Sequence, residues 1–108
     1  MTIQDLSRNN DFPLTKDLIN KWNSVVPVLK NNYIDRTITI DPNIADKYKF
    51  DFIGLLTHLD VPVELHYPHI VVNGLVCSTD YKGDFKEINI LNYTEAGNYY
   101  ELFTSNYN

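Results

Sequence analysis

All the imidazoles and the only thiol of this chain fall in one stretch. "HLDVPVELHYPHIVVNGLVCS", residues 58–78, holds His58, His66, His69 and Cys77, together with Asp60 and Glu64. A zinc site would draw on His66-x-x-His69 with further ligands from the same stretch, because zinc needs three or four donors converging at about 2.0–2.3 Å. On a helix the two histidines share a face, whereas on a strand that spacing sends them to opposite faces and destroys the pair. No HExxH, CxxC or second cysteine adds to them. A nucleophile reading finds no GxSxG around a serine and no recognisable context for Cys77. The four glycines are isolated and make no phosphate loop. Carboxylate pairs can be drawn from any of the 14 acids and so specify nothing. The bland account is the stronger one: His58 suits the end of a helix, and His66 and His69 flank Tyr67 and Pro68 as packed residues do. We therefore expect no catalytic residue, no metal ligand set and no cofactor. A histidine-dependent metal enzyme is the least favoured alternative.

The elements that would position these residues are partly clear. "LTKDLINKWNSVVPVLKNN" is an amphipathic helix, with Leu18, Ile19, Trp22, Val25, Val26 and Leu29 on one stripe, Thr15 as N-cap and Asp17 in the first turn. Pro27 is expected to end or kink it near Val26. "YIDRTITID" alternates as a half-buried strand with Ile34, Ile38 and Ile40 on one face. "DKYKFDFIGLLTHLD" reads as a second helix with Asp51 or Asp46 as cap. "FKEINILNY" is a strand after a turn at Gly83.

The histidine stretch itself supports two structures. Val61, Val63, Leu65 and Tyr67 alternate strictly, and Asn73-Gly74 is a strong hairpin signal, which makes residues 69–78 a hairpin. Val63, Tyr67, Ile70 and Val71 also fall at helical spacing, with Asn73-Gly74 as a helix stop, and there Pro68 is expected to force a kink. Local pattern slightly favours strands. The end, "NYTEAGNYYELFTSNYN", carries Tyr99, Tyr100 and Phe103 among polar residues; aromatics of this kind favour interfaces.

Composition bounds the partners. At 108 residues the chain is a single small domain, and its 44% hydrophobic content is that of a folded protein. The formal charge of −5 and the scattered lysines and arginines give no footprint for nucleic acid. No apolar run approaches the ~20 residues of a membrane span, and the polar "MTIQDLSRNNDF" lacks the apolar core of a signal peptide. Neither nucleic acid nor membrane is expected as a partner, and cytosolic synthesis with a reduced Cys77 is.

"TITI", "YKFDFIGLLTHLDVPVELHYPHIVVNGL" and "DYKGDFKEINIL" together resemble the LysM-like module of small baseplate wedge proteins from contractile-tailed bacteriophages. Asp51 with Phe52-Ile53 matches the start of the family's first helix, and Asp60-Val61-Pro62 its turn. Leu65 and Tyr67 fall at its aromatic pair, Asn73 at its helix-terminal Asn, and Gly83 with Ile88 and Ile90 at its closing strand. The family's Trp at the aromatic pair is absent, Pro68 interrupts the second helix, and no Pro follows Ile90.

The resemblance implies an α+β fold, a small LysM-like β-α-α-β module behind an amphipathic N-terminal helix. The alternative is an antiparallel sheet with the 69–78 hairpin plus two helices. The parts would be a docking helix region (1–33), the module (34–92) and an aromatic tail (93–108). The function implied is that of a non-enzymatic structural virion protein. It would be made in the host cytoplasm and bind other tail or baseplate subunits in a multi-subunit assembly. Contacts are expected from Leu18, Trp22, Val25 and Leu29 and from Tyr99, Tyr100 and Phe103. Structural roles fall to Asp51, Pro62, Tyr67, Asn73, Gly74 and Gly83. A free α+β binding protein, or a phage-encoded inhibitor of a host protein, is the competing reading.

Overall fold

The computed structural model describes residues 14–105. Among them the fold is α+β: five α-helices and one two-stranded antiparallel sheet. Helix α1 (Lys16–Asn32) starts where Thr15 accepts a hydrogen bond from the Leu18 N–H at 3.1 Å. It buries Leu18, Trp22, Val26 and Leu29. It does not end at Pro27, one of the two outcomes expected there, but runs on to Asn32. An interior proline costs about 3 kcal/mol, but Val26 and Leu29, buried on either side of it, anchor both halves of the helix to the core.

Strand β1 (Ile34–Thr39) pairs with β2 (Glu87–Leu91), Thr37 opposite Asn89 and Ile38 opposite Ile88, with an irregularity between Ile34 and Arg36. Between the strands lie three helices rather than two: α2 (Pro42–Lys47), α3 (Phe52–His58) and α4 (His66–Val72). The short α2 was not anticipated, although its signals are there. Asp41 caps it through the Asn43 N–H at 2.7 Å, and Pro42 opens it. Asp51 caps α3 as expected, accepting from the Gly54 N–H at 3.0 Å. A Cβ at Gly54 would collide with the Asp51 carboxylate and lie 2.9 Å from the Tyr48 ring, so the glycine leaves room for the cap.

Helices α3 and α4 end in the same way. Val61 N–H bonds Leu56 C=O and Asp60 N–H bonds Thr57 C=O; Leu75 N–H bonds Ile70 C=O and Gly74 N–H bonds Val71 C=O. These are two Schellman stops, with Asp60 (φ +62°) and Gly74 (φ +89°) in the left-handed position. The alternative hairpin at 69–78 is therefore corrected: Asn73-Gly74 terminates a helix. The alternation over 61–67 is corrected too. Val61 and Leu65 are buried and Val63 is 38% exposed, a spacing of four, not two. Pro62 leads into a 3-10 turn (Val63–Leu65), and Pro68 falls in the first turn of α4. Helical N–H groups there have no carbonyl to bond, so the missing donor costs nothing and no kink is needed.

Of the residues expected as a tail, Tyr93–Thr104 form α5, capped by Asn92, whose side chain accepts from the Glu95 N–H at 3.0 Å; residues 106–108, like residues 1–13 of the expected docking region, lie outside the described residues. One core cluster joins Trp22 of α1, Leu55 of α3, Ile88 of β2 and Ala96 of α5, so all three sequence stretches contribute to it.

Candidate functional site

The three histidines do not converge. His58, exposed at the end of α3, lies against Tyr48, ring centroids 5.6 Å apart and Nδ1 3.5 Å from the hydroxyl. His66 directs Nε2 at the Val61 carbonyl, 2.9 Å away. His69 is fully buried and uses both ring nitrogens on backbone: Nδ1 lies 2.8 Å from the Leu65 carbonyl, and Nε2 accepts the Leu91 N–H at 3.0 Å. Those partners fix the neutral ring with its proton on Nδ1. Burial lowers its pKa from 6.5 to about 4; the Leu65 hydrogen bond opposes that shift and the nearby His66 adds to it. No group of three or more His, Cys, Asp or Glu among the described residues could hold a metal ion.

What His69 does becomes clear from the residue one turn on. Asn73 accepts the Asn89 N–H at 2.8 Å through Oδ1, and its Nδ2 donates to the Asn89 carbonyl at 3.1 Å and to the His69 carbonyl at 2.8 Å. In an antiparallel pair, alternate residues of each strand turn their backbone groups away from the partner. On β2 these are Asn89 and Leu91, and α4 meets them with an amide and an imidazole four residues apart, on one helical face. The two side chains do the work of a third strand. Asn73 was expected to matter as a helix stop; its side-chain role depends on Asn89 and could not be read locally.

Several of the aromatics expected at an interface also contact each other within the chain. Trp22 is fully buried, with Phe103 edge-on at 5.1 Å and 89°. Phe103 also lies 6.0 Å from Tyr99, and its carbonyl accepts a hydrogen bond from Lys21 Nζ at 3.2 Å. Leu18 and Leu29 are buried, and Val25, Tyr99 and Tyr100 pack against the core at its margin. Trp22 Nε1 finds no acceptor among the described residues. Gly83 (φ +79°) brings its loop within 2.9 Å of Lys49 Cβ, measured to where a Cβ would sit. A second aromatic cluster escaped the sequence reading: Tyr81 is fully buried between Phe52 and Phe85 (centroids 5.3 and 5.0 Å) and donates to the Ala45 carbonyl at 3.0 Å.

One sizeable apolar concavity lies beside the histidine stretch. Leu14, Ile19, Ile53, Ile70, Tyr67 and Val76 line a groove of about 630 Å³, with Cys77 and Thr79 on its wall. The Tyr67 hydroxyl donates to Asn23 Oδ1 at 2.9 Å, and the Ile53 N–H bonds Ser78 Oγ at 3.0 Å, tying the wall to α3. Cys77 is exposed; its Sγ lies 3.3 Å from Thr79 Oγ1 and its N–H donates to Asp80. Among the described residues its hydrogen-bond partners are thus Thr79 and Asp80. Among the described residues no helix is long and apolar enough to cross a membrane. Compared with known proteins, the chain matches no family model, no curated sequence and no solved structure.

Proposed function

We propose that the chain is a non-enzymatic structural subunit of a phage tail baseplate or neck, built around a LysM-like module and working by binding neighbouring subunits. The observation that carries the reading is the arrangement of residues 34–91. A strand at each end pairs antiparallel, helices lie between, and an Asn closes the helix that packs on β2. The resemblance implies two helices between the strands where three α-helices lie, so what the two share is the α+β class with an antiparallel strand pair around helices. The deployment of the histidines supports it as well, since His66 and His69 spend ring nitrogens on the backbone. Trp22 is committed to the core, so the contact surface must come from outward groups such as Val28 and Leu102, which are 41% and 63% exposed.

Mass spectrometry of purified virions tests the reading. The chain should be found at a fixed ratio to other tail proteins, and L102E should lower its incorporation while leaving the circular dichroism spectrum unchanged. Virions that lack the chain would sink the proposal.

A further inference from the structure

Four described residues occupy the left-handed region of backbone space: Phe50, Asp60, Gly74 and Gly83. Asp60 and Gly74 close helices, and Gly83 has no Cβ where Lys49 crowds it. Phe50 (φ +64°) closes no helix; it is the third residue of the turn from Tyr48 to Asp51, a place that glycine or asparagine usually takes. A bulky side chain is a genuine outlier there, and strain of this kind persists only where the surroundings enforce it. They do so here: the Phe50 N–H donates to the Tyr81 carbonyl at 2.8 Å and the Asp51 N–H to the Tyr48 carbonyl at 2.8 Å. The ring gains nothing from the core. It is 52% exposed and lies outside the core cluster, with Lys49 Nζ at 5.6 Å from its centroid.

Two hydrogen bonds tie the segment that carries this knob to the segment that walls the groove: Phe50 N–H to the Tyr81 carbonyl and Ile53 N–H to Ser78 Oγ. Ile53, three residues on, lines the groove, and its 76–79 wall leads directly through Asp80 to Tyr81, the residue that holds Phe50. Its volume of about 630 Å³ comfortably exceeds the roughly 150 Å³ that admits a benzene ring. The charges are complementary: Lys49 stands beside the knob, and the exposed Asp80 beside the groove, its carboxylate on the Cys77 N–H. A two-fold interface requires a knob and its receptor on one surface, because each copy must present the same patch, and these two bonded segments carry one each.

We propose that two copies of this chain form a two-fold dimer in which Phe50 of each enters the groove of the other, with Lys49 facing Asp80 across the interface. The inference does not depend on the virion reading and is tested on the purified chain. Sedimentation equilibrium should show a monomer–dimer equilibrium. F50N should weaken it by more than about a hundredfold, since a two-fold interface loses an anchoring aromatic twice. At concentrations where both proteins are monomeric its Tm should be unchanged or higher, because Asn tolerates the left-handed conformation. V76D, on the 79% exposed groove rim, should weaken the dimer independently. Oxidised F50C should run as a disulfide-linked dimer through Cys77 of the other copy, and F50C/C77S should not. A wild-type chain that stays monomeric into the millimolar range overturns the proposal. So does F50N or V76D dimerising as the wild type does, or F50C linking equally well without Cys77.

Discussion

His69 couples the fold to pH in a way that can be worked through. Its ring is buried and neutral, accepting the Leu91 N–H at Nε2. Protonation would turn that acceptor into a donor facing a donor, in a site from which water is excluded. The folded pKa of about 4, against 6.5 for an ordinary histidine, makes the unfolded chain the better proton binder between those values. Stability from this group is complete above about pH 6.5, falls as pH drops through the interval, and is gone below about pH 4. At about 1.4 kcal/mol per pH unit, the whole interval is worth about 3 kcal/mol, of which about 2 kcal/mol is lost by pH 5. That is a large part of the 5–15 kcal/mol that holds a domain together.

The assay is urea unfolding of the wild type and of H69Q near pH 7.5 and near pH 5. H69Q is less stable at the higher pH, because the Leu91 and Leu65 backbone groups lose well-placed partners, at about 1–3 kcal/mol. Its additional loss on acidification should be smaller than the wild type's by about 2 kcal/mol, since every other titrating group is shared. Parallel losses in the two proteins would refute the argument. An NMR titration in which the His69 ring of the folded protein protonates near pH 6.5 would do the same.

Other side chains give equally direct tests. N73A should destabilise the fold by about 2–3 kcal/mol in urea melts, because both backbone groups of Asn89 lose their partner; amide exchange at Asn89 should speed up more than exchange at Ile88, which faces β1. G83A should cost more than G74A. Both need a positive φ, worth about 1–2 kcal/mol, but a Cβ at Gly83 lies 2.9 Å from Lys49 Cβ whereas nothing lies within 4 Å of one at Gly74. Thermal melts that rank the two the other way would contradict the crowding at Gly83.

The parts of this fold legible in sequence were those determined within a few residues. The Thr15 cap, the α1 stripe and the Asp51 cap are local, and they are where the pattern places them. Asn73-Gly74 was ambiguous because an αL-prone pair serves a hairpin and a helix stop equally well. The choice is made by His69 and Asn73 reaching β2, 22 and 16 residues away. Pro27 does not stop α1, because a propensity rule cannot see that Val26 and Leu29 are buried on either side of it. Trp22 and Phe103 each looked like a hydrophobic group in search of a partner, and nothing local reveals that each is the other's. α5 had its own signal, Asn92 with Glu95 three residues on, which a run of tyrosines disguised as a tail.

A two-stranded sheet has two open edges, and each invites a further strand. On β2 the invitation is withdrawn by side chains: the Asn73 amide reproduces the donor and acceptor of a neighbouring strand at Asn89, and His69 supplies the acceptor at Leu91. On β1 no strand lies alongside among the described residues. Instead the ladder is irregular between Ile34 and Arg36, and Asp35 and Arg36 pair at 2.9 Å while each stays about half exposed. A bulge and a charge pair are the usual defences of an edge that must stay single. The histidine that looked like a candidate for catalysis is thus half of the device that keeps the sheet at two strands. Its chemistry is used as a fixed, uncharged acceptor, and the burial that depresses its pKa is the same burial that lets one nitrogen stand in for a strand.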